Sequence, residues 1–183
     1  MARMRVDAHR NRELLLAASA SAFAAADGTA VSLEGIAREA GVGIGTLYRH
    51  FPNREALVEA VYRTELAEVS ASAVELLERH SPVAALRHWM TRYAAFVAAK
   101  QGMAESLSAV FASGSVEPGD TRASILGAID TLLGAGAADG SLRSDVSADD
   151  VVSSLIGIAI ASRSTEQANR MRDLLVDGLV ATR

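Results

Sequence analysis

The sequence predicts an all-α protein of about nine helices, counted from apolar residues that recur every three or four positions. Three observations carry this expectation. Half of the 183 residues are apolar and 22% are charged, as in a packed globular chain rather than a disordered one. Alanine is abundant and only three prolines occur, a composition that favours helix. The apolar residues keep helical spacing along most of the chain, and no convincing strand pattern or internal repeat interrupts them.

In chain order, residues 1–6 read as a flexible arm carrying Arg3 and Arg5. A first helix is expected from about Asp7 to Ala26. Leu15, Ala18, Ala22 and Phe23 form its buried stripe, and Asp27-Gly28 ends it. The next stretch, Leu33 to Phe51, organises the chain. Leu33, Ile36 and Ala37 share one helical face. Ser32 is placed to cap the helix with its hydroxyl. Gly41 follows Ala40, where a helix commonly ends in the left-handed conformation. Val42 plugs the turn, Gly43 is the next N-cap, and a second short helix starts at Ile44. Leu47 and Phe51 point inward at i and i+4. Ile44, Gly45, Thr46, Tyr48, Arg49 and His50 remain on or near the free surface. Two short helices joined by such a glycine-containing turn make a helix-turn-helix, whose second helix enters the major groove of DNA.

Pro52 stops that helix, and Asn53 caps a long one from Arg54 to about Arg79. Leu57, Val61, Leu66, Val69, Ala73, Leu76 and Leu77 mark its inner face. It is about 25 residues long, about 38 Å at the helical rise per residue. A helix from about Pro82 to Lys100 follows, with Leu86, Trp89, Met90, Tyr93 and Phe96 inside; Gly102 breaks it. A shorter helix, about Met103 to Ser113, carries Leu107, Val110 and Phe111. Ser113 to Asp120 is a surface loop. Asp120 is expected to cap a helix to about Ala138, with Ile125, Leu126, Ile129, Leu132 and Leu133 inside. Two capping boxes, Ser147 with Asp150 and Ser164 with Gln167, start the last two helices, which end near Ala161 and Ala181.

Composition excludes several classes of function. Without cysteine there are no disulfides, thiolate metal sites or cysteine nucleophiles, and a reducing cytoplasm suits the chain. The start is basic and polar, unlike a signal peptide. The longest strongly apolar run, Val151 to Ala161, falls short of a membrane span. His9, His50, His80 and His88 show no metal spacing with carboxylates, and no nucleophile elbow or dinucleotide fingerprint occurs. No catalytic residue, metal or cofactor is therefore expected. The net charge is −4, but it is unevenly spread. Residues 1–63 hold eight arginines against seven acids; residues 64–183 hold ten basic side chains against fifteen acids. DNA contact depends on locally placed cations more than on the overall balance.

The run from Leu14 to Val61 resembles the N-terminal domain of TetR-type (tetracycline-repressor-like) transcriptional regulators. The matching pieces are LLLAASASAFAAADG and SLEGIAREAGVGIGTLYRHFPNREALVEAV, in which spacing, glycines and aromatics all agree. The remainder matches in length and helical pattern. The resemblance implies a DNA-binding domain over residues 1–52 and an effector-binding and dimerisation domain over residues 53–183. It implies that Gly43 to His50 lies in the major groove, with Ser32, Gly43, Ile44, Gly45, Thr46, Tyr48, Arg49, His50 and Arg54 as the DNA contacts. Tyr48 and Thr46 would meet phosphate or base edges, and His50 and Arg54 phosphate. Gly43 stands where serine is frequent and Ile44 where a polar residue is frequent, so readout at Ile44 would be a van der Waals contact. The arginine-bearing arm is either a minor-groove contact or a solvated tail.

The resemblance also implies a pocket for a small-molecule effector, with Tyr62, Trp89, Arg92, Tyr93, Phe96, Met103, Leu107, Phe111 and Ile129 as candidates; plain core packing is the competing reading for each. It implies a homodimer through the last two helices, with Val152, Leu155, Ile156, Ala159, Met171, Leu174 and Leu175 at the interface. The expected function is a ligand-responsive regulator that binds a palindromic operator in double-stranded DNA as a dimer, acts as a repressor and is released by a small molecule. Two alternatives stand beside it. One is a helical ligand-binding or enzymatic protein that keeps the fold but no longer reads DNA. The other is a purely structural dimer.

Overall fold

The computed structural model describes residues 2–26 and 31–181, with side chains from Asp7 onward. Nine helices account for most of the described residues: α1 (Ala2–Ala24), α2 (Leu33–Glu39), α3 (Ile44–His50), α4 (Arg54–Leu77), α5 (Pro82–Gly102), α6 (Ala104–Ala112), α7 (Pro118–Asp139), α8 (Ala148–Ala161) and α9 (Thr165–Leu179). The described residues contain no strand, only an isolated bridge between Leu142 and Val180.

Helix boundaries follow local chemistry. Asp150 N–H donates to the Ser147 hydroxyl at 3.1 Å, and Gln167 N–H to the Ser164 hydroxyl at 3.2 Å. Both serines hold extended backbone angles, as N-caps do. Gln167 also accepts from Arg163 N–H at 2.8 Å. Two boundaries differ from expectation. Residues 2–6, expected as an arm, are the start of α1, because Ala, Arg and Met form helix readily and nothing there breaks it. Helix α7 starts at Pro118 rather than after Asp120; proline suits the first helical turn, where its missing N–H has no helical partner. The stop expected at Asp27-Gly28 lies outside the described residues.

The chain divides into two compact units, Met1–Glu65 with Ala98–Glu117, and Leu66–Val97 with Pro118–Arg183. In the first, Leu15, Phe23, Ile36, Leu47, Phe51, Leu57, Val58 and Tyr62 are buried together with Met103 and Leu107. Each such side chain contributes about 1.5–3 kcal/mol of burial free energy before the entropy of ordering is counted. Gly102 closes α5 at a close approach in this unit. A Cβ there would lie 1.9 Å from the Phe23 carbonyl oxygen.

The second unit is built around Trp89. Its indole N–H donates to the Val69 carbonyl at 2.9 Å, and its ring stacks on Tyr93 with centroids 5.2 Å apart. Ile125, Ile129 and Leu132 of α7 face inward, as do Val151, Val152 and Leu155 of α8. The chain end is tied back by Arg143 N–H to Leu179 O and Ala181 N–H to Ser141 O, at 2.9 and 3.1 Å.

Candidate nucleic-acid interface

The first unit presents the helix-turn-helix. Ser32 accepts from Gly35 N–H at 3.2 Å and caps α2. At the other end Gly41 adopts φ +68°. Val42 N–H reaches Ala37 O at 2.9 Å and Gly41 N–H reaches Arg38 O at 3.1 Å. This is the Schellman arrangement, and it turns the chain sharply between α2 and α3. Gly43 then starts α3, accepting from Thr46 and Leu47 N–H. Leu47 and Phe51 are buried and anchor one side of α3. The Arg12 guanidinium of α1 lies 5.4 Å from the Phe51 ring centre, a cation–π contact that fixes the exit of α3.

The other side of α3 faces solvent. Tyr48 is 47% exposed. Gly43, Gly45 and Arg49 are exposed, and Ile44, Thr46 and His50 are half-buried. Gly45 lies three and four positions before Tyr48 and Arg49, so the three share one stripe. A Cβ at Gly43 or Gly45 would meet nothing within 4 Å. This face offers a phenol, a hydroxyl with a methyl group, a guanidinium and an imidazole beside bare backbone, a set suited to base edges and phosphates. Arg49 and His50 also lie in the last turn of α3, where the helix dipole favours cations.

Two expected contacts have further duties. Besides capping α2, the Ser32 hydroxyl donates to Glu34 at 3.0 Å. Backbone hydrogen bonding at Glu34, and then this hydroxyl, hold the Glu34 carboxyl below the usual carboxylate range. Arg54 is turned into the unit: Nη1 donates to Val31 O at 2.7 Å and Nε to the Ser106 hydroxyl at 3.1 Å. Its guanidinium lies 5.6 Å from the Phe23 ring centre. The Ser106 partnership had no signal in the sequence, since the two residues are 52 positions apart.

The candidate pocket residues divide between the units. In the first, Tyr62, Met103 and Leu107 are buried and Phe111 is half-buried; the Tyr62 and Phe111 rings meet edge to face at 5.7 Å. In the second, Trp89, Tyr93, Phe96 and Ile129 are buried. Arg92 is at the surface, 3.8 Å from Glu75. A groove of about 260 Å³ in the second unit is lined by Arg87, Met90, Thr91, Asn169, Arg172, Asp173 and Val176, none of them among the nine candidates.

Of the candidate interface residues, Val152 and Leu155 are buried within the chain itself. Ile156, Ala159, Met171 and Leu175 are half-buried, and Leu174 is 71% exposed. Ile160, which the apolar stripe did not single out, is 75% exposed. Among the described residues no helix is long and apolar enough to cross a membrane, and no group of three or more His, Asp or Glu is placed to hold a metal ion.

Comparison with known proteins agrees with this geometry. The family model for bacterial regulatory proteins of the tetR family matches residues 15–61. The model for the C-terminal domain of SbtR-like transcriptional regulators matches residues 81–181. A crystal structure of a TetR transcriptional regulator from Streptomyces coelicolor is 46% identical, with a TM-score of 0.85, over 94% of this chain and 99% of that one. A TetR transcription regulatory protein from Mycobacterium vanbaalenii is 32% identical, with a TM-score of 0.74, over 97% and 99%. A gamma-butyrolactone receptor shares the fold at 22% identity and a TM-score of 0.62, over 96% and 91%. No protein of curated function matches the sequence. Regulators of this kind are generally non-enzymatic DNA-binding proteins. From its helix-turn-helix through its C-terminal helices, the chain belongs to the TetR family of bacterial transcriptional regulators.

Proposed function

We propose that the protein is a ligand-responsive repressor that binds a palindromic operator as a homodimer and is released by a small molecule. Residues 1–52 read DNA, and residues 53–183 bind the effector and dimerise. The observation that carries this reading is the free face of α3, where Tyr48 and Arg49 project beside Gly45 while Leu47 and Phe51 are buried behind them. Thr46 and Tyr48 read base edges and phosphate, Ile44 touches thymine methyls, and Ser32, Arg49 and His50 meet the backbone. Two such helices, one from each protomer, would sit about 34–36 Å apart, one turn of DNA. An effector that prefers another placement of α4 changes that spacing and lowers affinity. The apolar candidates, Tyr62, Trp89, Tyr93, Phe96, Met103, Leu107, Phe111 and Ile129, have the composition of a ligand site.

Selection from a random duplex library with the full chain, at about 50 and 200 mM salt, tests the reading. A palindromic preference with a steep salt slope is expected. Tyr48→Ala should weaken binding to the selected duplex by about 1–3 kcal/mol with folding intact. Absence of binding at either salt concentration sinks the regulator reading in favour of a helical ligand-binding protein that no longer reads DNA. Undiminished binding by Tyr48→Ala removes that side chain from the interface.

A further inference from the structure

From the first residue of α4, Arg54 touches three other segments of its unit. Nη1 holds the carbonyl of Val31, one residue ahead of the Ser32 cap. Nε holds the Ser106 hydroxyl on α6, and the guanidinium covers Phe23 of α1. Ser106 is 7% exposed, so water competes poorly for this charge-assisted bond. A second tie lies farther along: the Arg63 guanidinium donates to the carbonyl of Ser115, just past α6. Both ties join residues 52 positions apart. Helix α6 therefore runs beside the first half of α4 in the same direction, fastened near both ends. Tyr62 and Phe111 pack between the ties. Sliding α6 along α4 breaks at least one of them. Because one guanidinium grips both α6 and Val31, the position of α6 is passed to the segment that begins the helix-turn-helix.

We infer that Arg54 is a positioning residue, coupling the placement of α6 through Ser106 and Val31 to the order of the helix-turn-helix, rather than a phosphate contact. Its consequence for gene control rests on the function proposed above; the coupling itself is a property of the first unit.

Amide hydrogen exchange on the full-length protein tests the coupling, comparing Ser106→Ala with Ser108→Ala. Ser108 is an exposed neighbour on α6 whose hydroxyl donates to Ala104 O in the same helix. Ser106→Ala should speed exchange about three- to tenfold at α2 and α3 amides such as Ile36, Ala40 and Leu47, leaving second-unit amides unchanged. Ser108→Ala should leave α2 and α3 at the wild-type rate. Faster exchange confined to α6 overturns the inference, and so does a uniform rise over the whole chain, which marks general loss of stability. A second arm measures Arg54→Gln on the duplex selected by the wild-type chain, between about 50 and 200 mM salt. Positioning lowers affinity several-fold at every salt concentration and leaves the salt slope unchanged. A slope reduced by about one assigns the guanidinium to phosphate and overturns the inference. If the wild-type chain binds no duplex, the regulator reading fails and the exchange arm alone decides the coupling.

Discussion

Gly45 sets helix stability against the proposed DNA contact at a single position. Inside α3, glycine costs roughly 0.5–1 kcal/mol relative to alanine through the extra backbone freedom it loses. Nothing inside the protein calls for that cost, since a Cβ would stand in open space and the residue lacks the positive φ that marks Gly41. On the DNA-reading role proposed above, the missing side chain would let backbone approach DNA beside Tyr48 and Arg49. Gly45→Ala is thus expected to raise unfolding free energy by about 0.5–1 kcal/mol in urea titration. The same variant should bind its selected duplex about tenfold more weakly, a loss in the range of one disturbed contact. A variant that is stabilised and binds undiminished would show that DNA does not approach this face. Tyr48, 47% exposed next to the buried Leu47, fits the same division between core and free face.

At the scale of elements, Gly102 matters for a reason different from that of a helix breaker. It ends α5 as its spacing suggests, but without the left-handed backbone of Gly41, Gly114 and Gly140. Its role is contact: α5 meets the Phe23 carbonyl so closely that a methyl group would collide with backbone at 1.9 Å. Gly102→Ala is expected to destabilise the protein by about 1–3 kcal/mol, the range of overpacking, read as a lower denaturation midpoint. An unchanged midpoint would mean that α1 and α5 separate freely. This contrast shows which elements were legible in the sequence. The caps at Ser32, Ser147 and Ser164 and the turn at Gly41 were, because each bond closes within a few residues and the residue type states the geometry. The inward placement of Leu47 and the outward placement of Tyr48 followed from helical spacing alone. The contact of Gly102 with Phe23 and the grip of Arg54 on Ser106 were not legible, since each joins segments more than 50 residues apart. The resemblance implied a phosphate contact for Arg54, and nothing in its local sequence carries information about α6. Likewise residues 1–6 read as a flexible arm, while the helix propensity of Ala, Arg and Met carries α1 back to Ala2.

At the scale of the whole molecule, the last two helices leave large apolar side chains uncovered. Val152 and Leu155 are consumed by packing within the chain, whereas Ile160 and Leu174 stand 75% and 71% exposed on α8 and α9. Half-buried Ile156, Ala159, Met171 and Leu175 lie on the same two helices. Large aliphatic side chains exposed to water favour association, and two α8–α9 pairs related by a two-fold axis would bury them as a four-helix contact. A symmetric pair is also what a palindrome requires, since each chain presents one α3. The double variant Ile160→Asp with Leu174→Asp tests this directly. Both side chains are already in solvent, so circular dichroism should show an unchanged helical chain. Light scattering after size exclusion should show a dimer for the wild-type chain and a monomer for the variant at micromolar concentration. Affinity for a palindromic duplex should fall by about hundredfold or more, because the second half-site no longer binds at high effective concentration. A double variant that stays dimeric moves the interface away from α8 and α9. A monomer with undiminished palindrome affinity separates dimerisation from DNA reading and removes the geometric reason for pairing two reading helices.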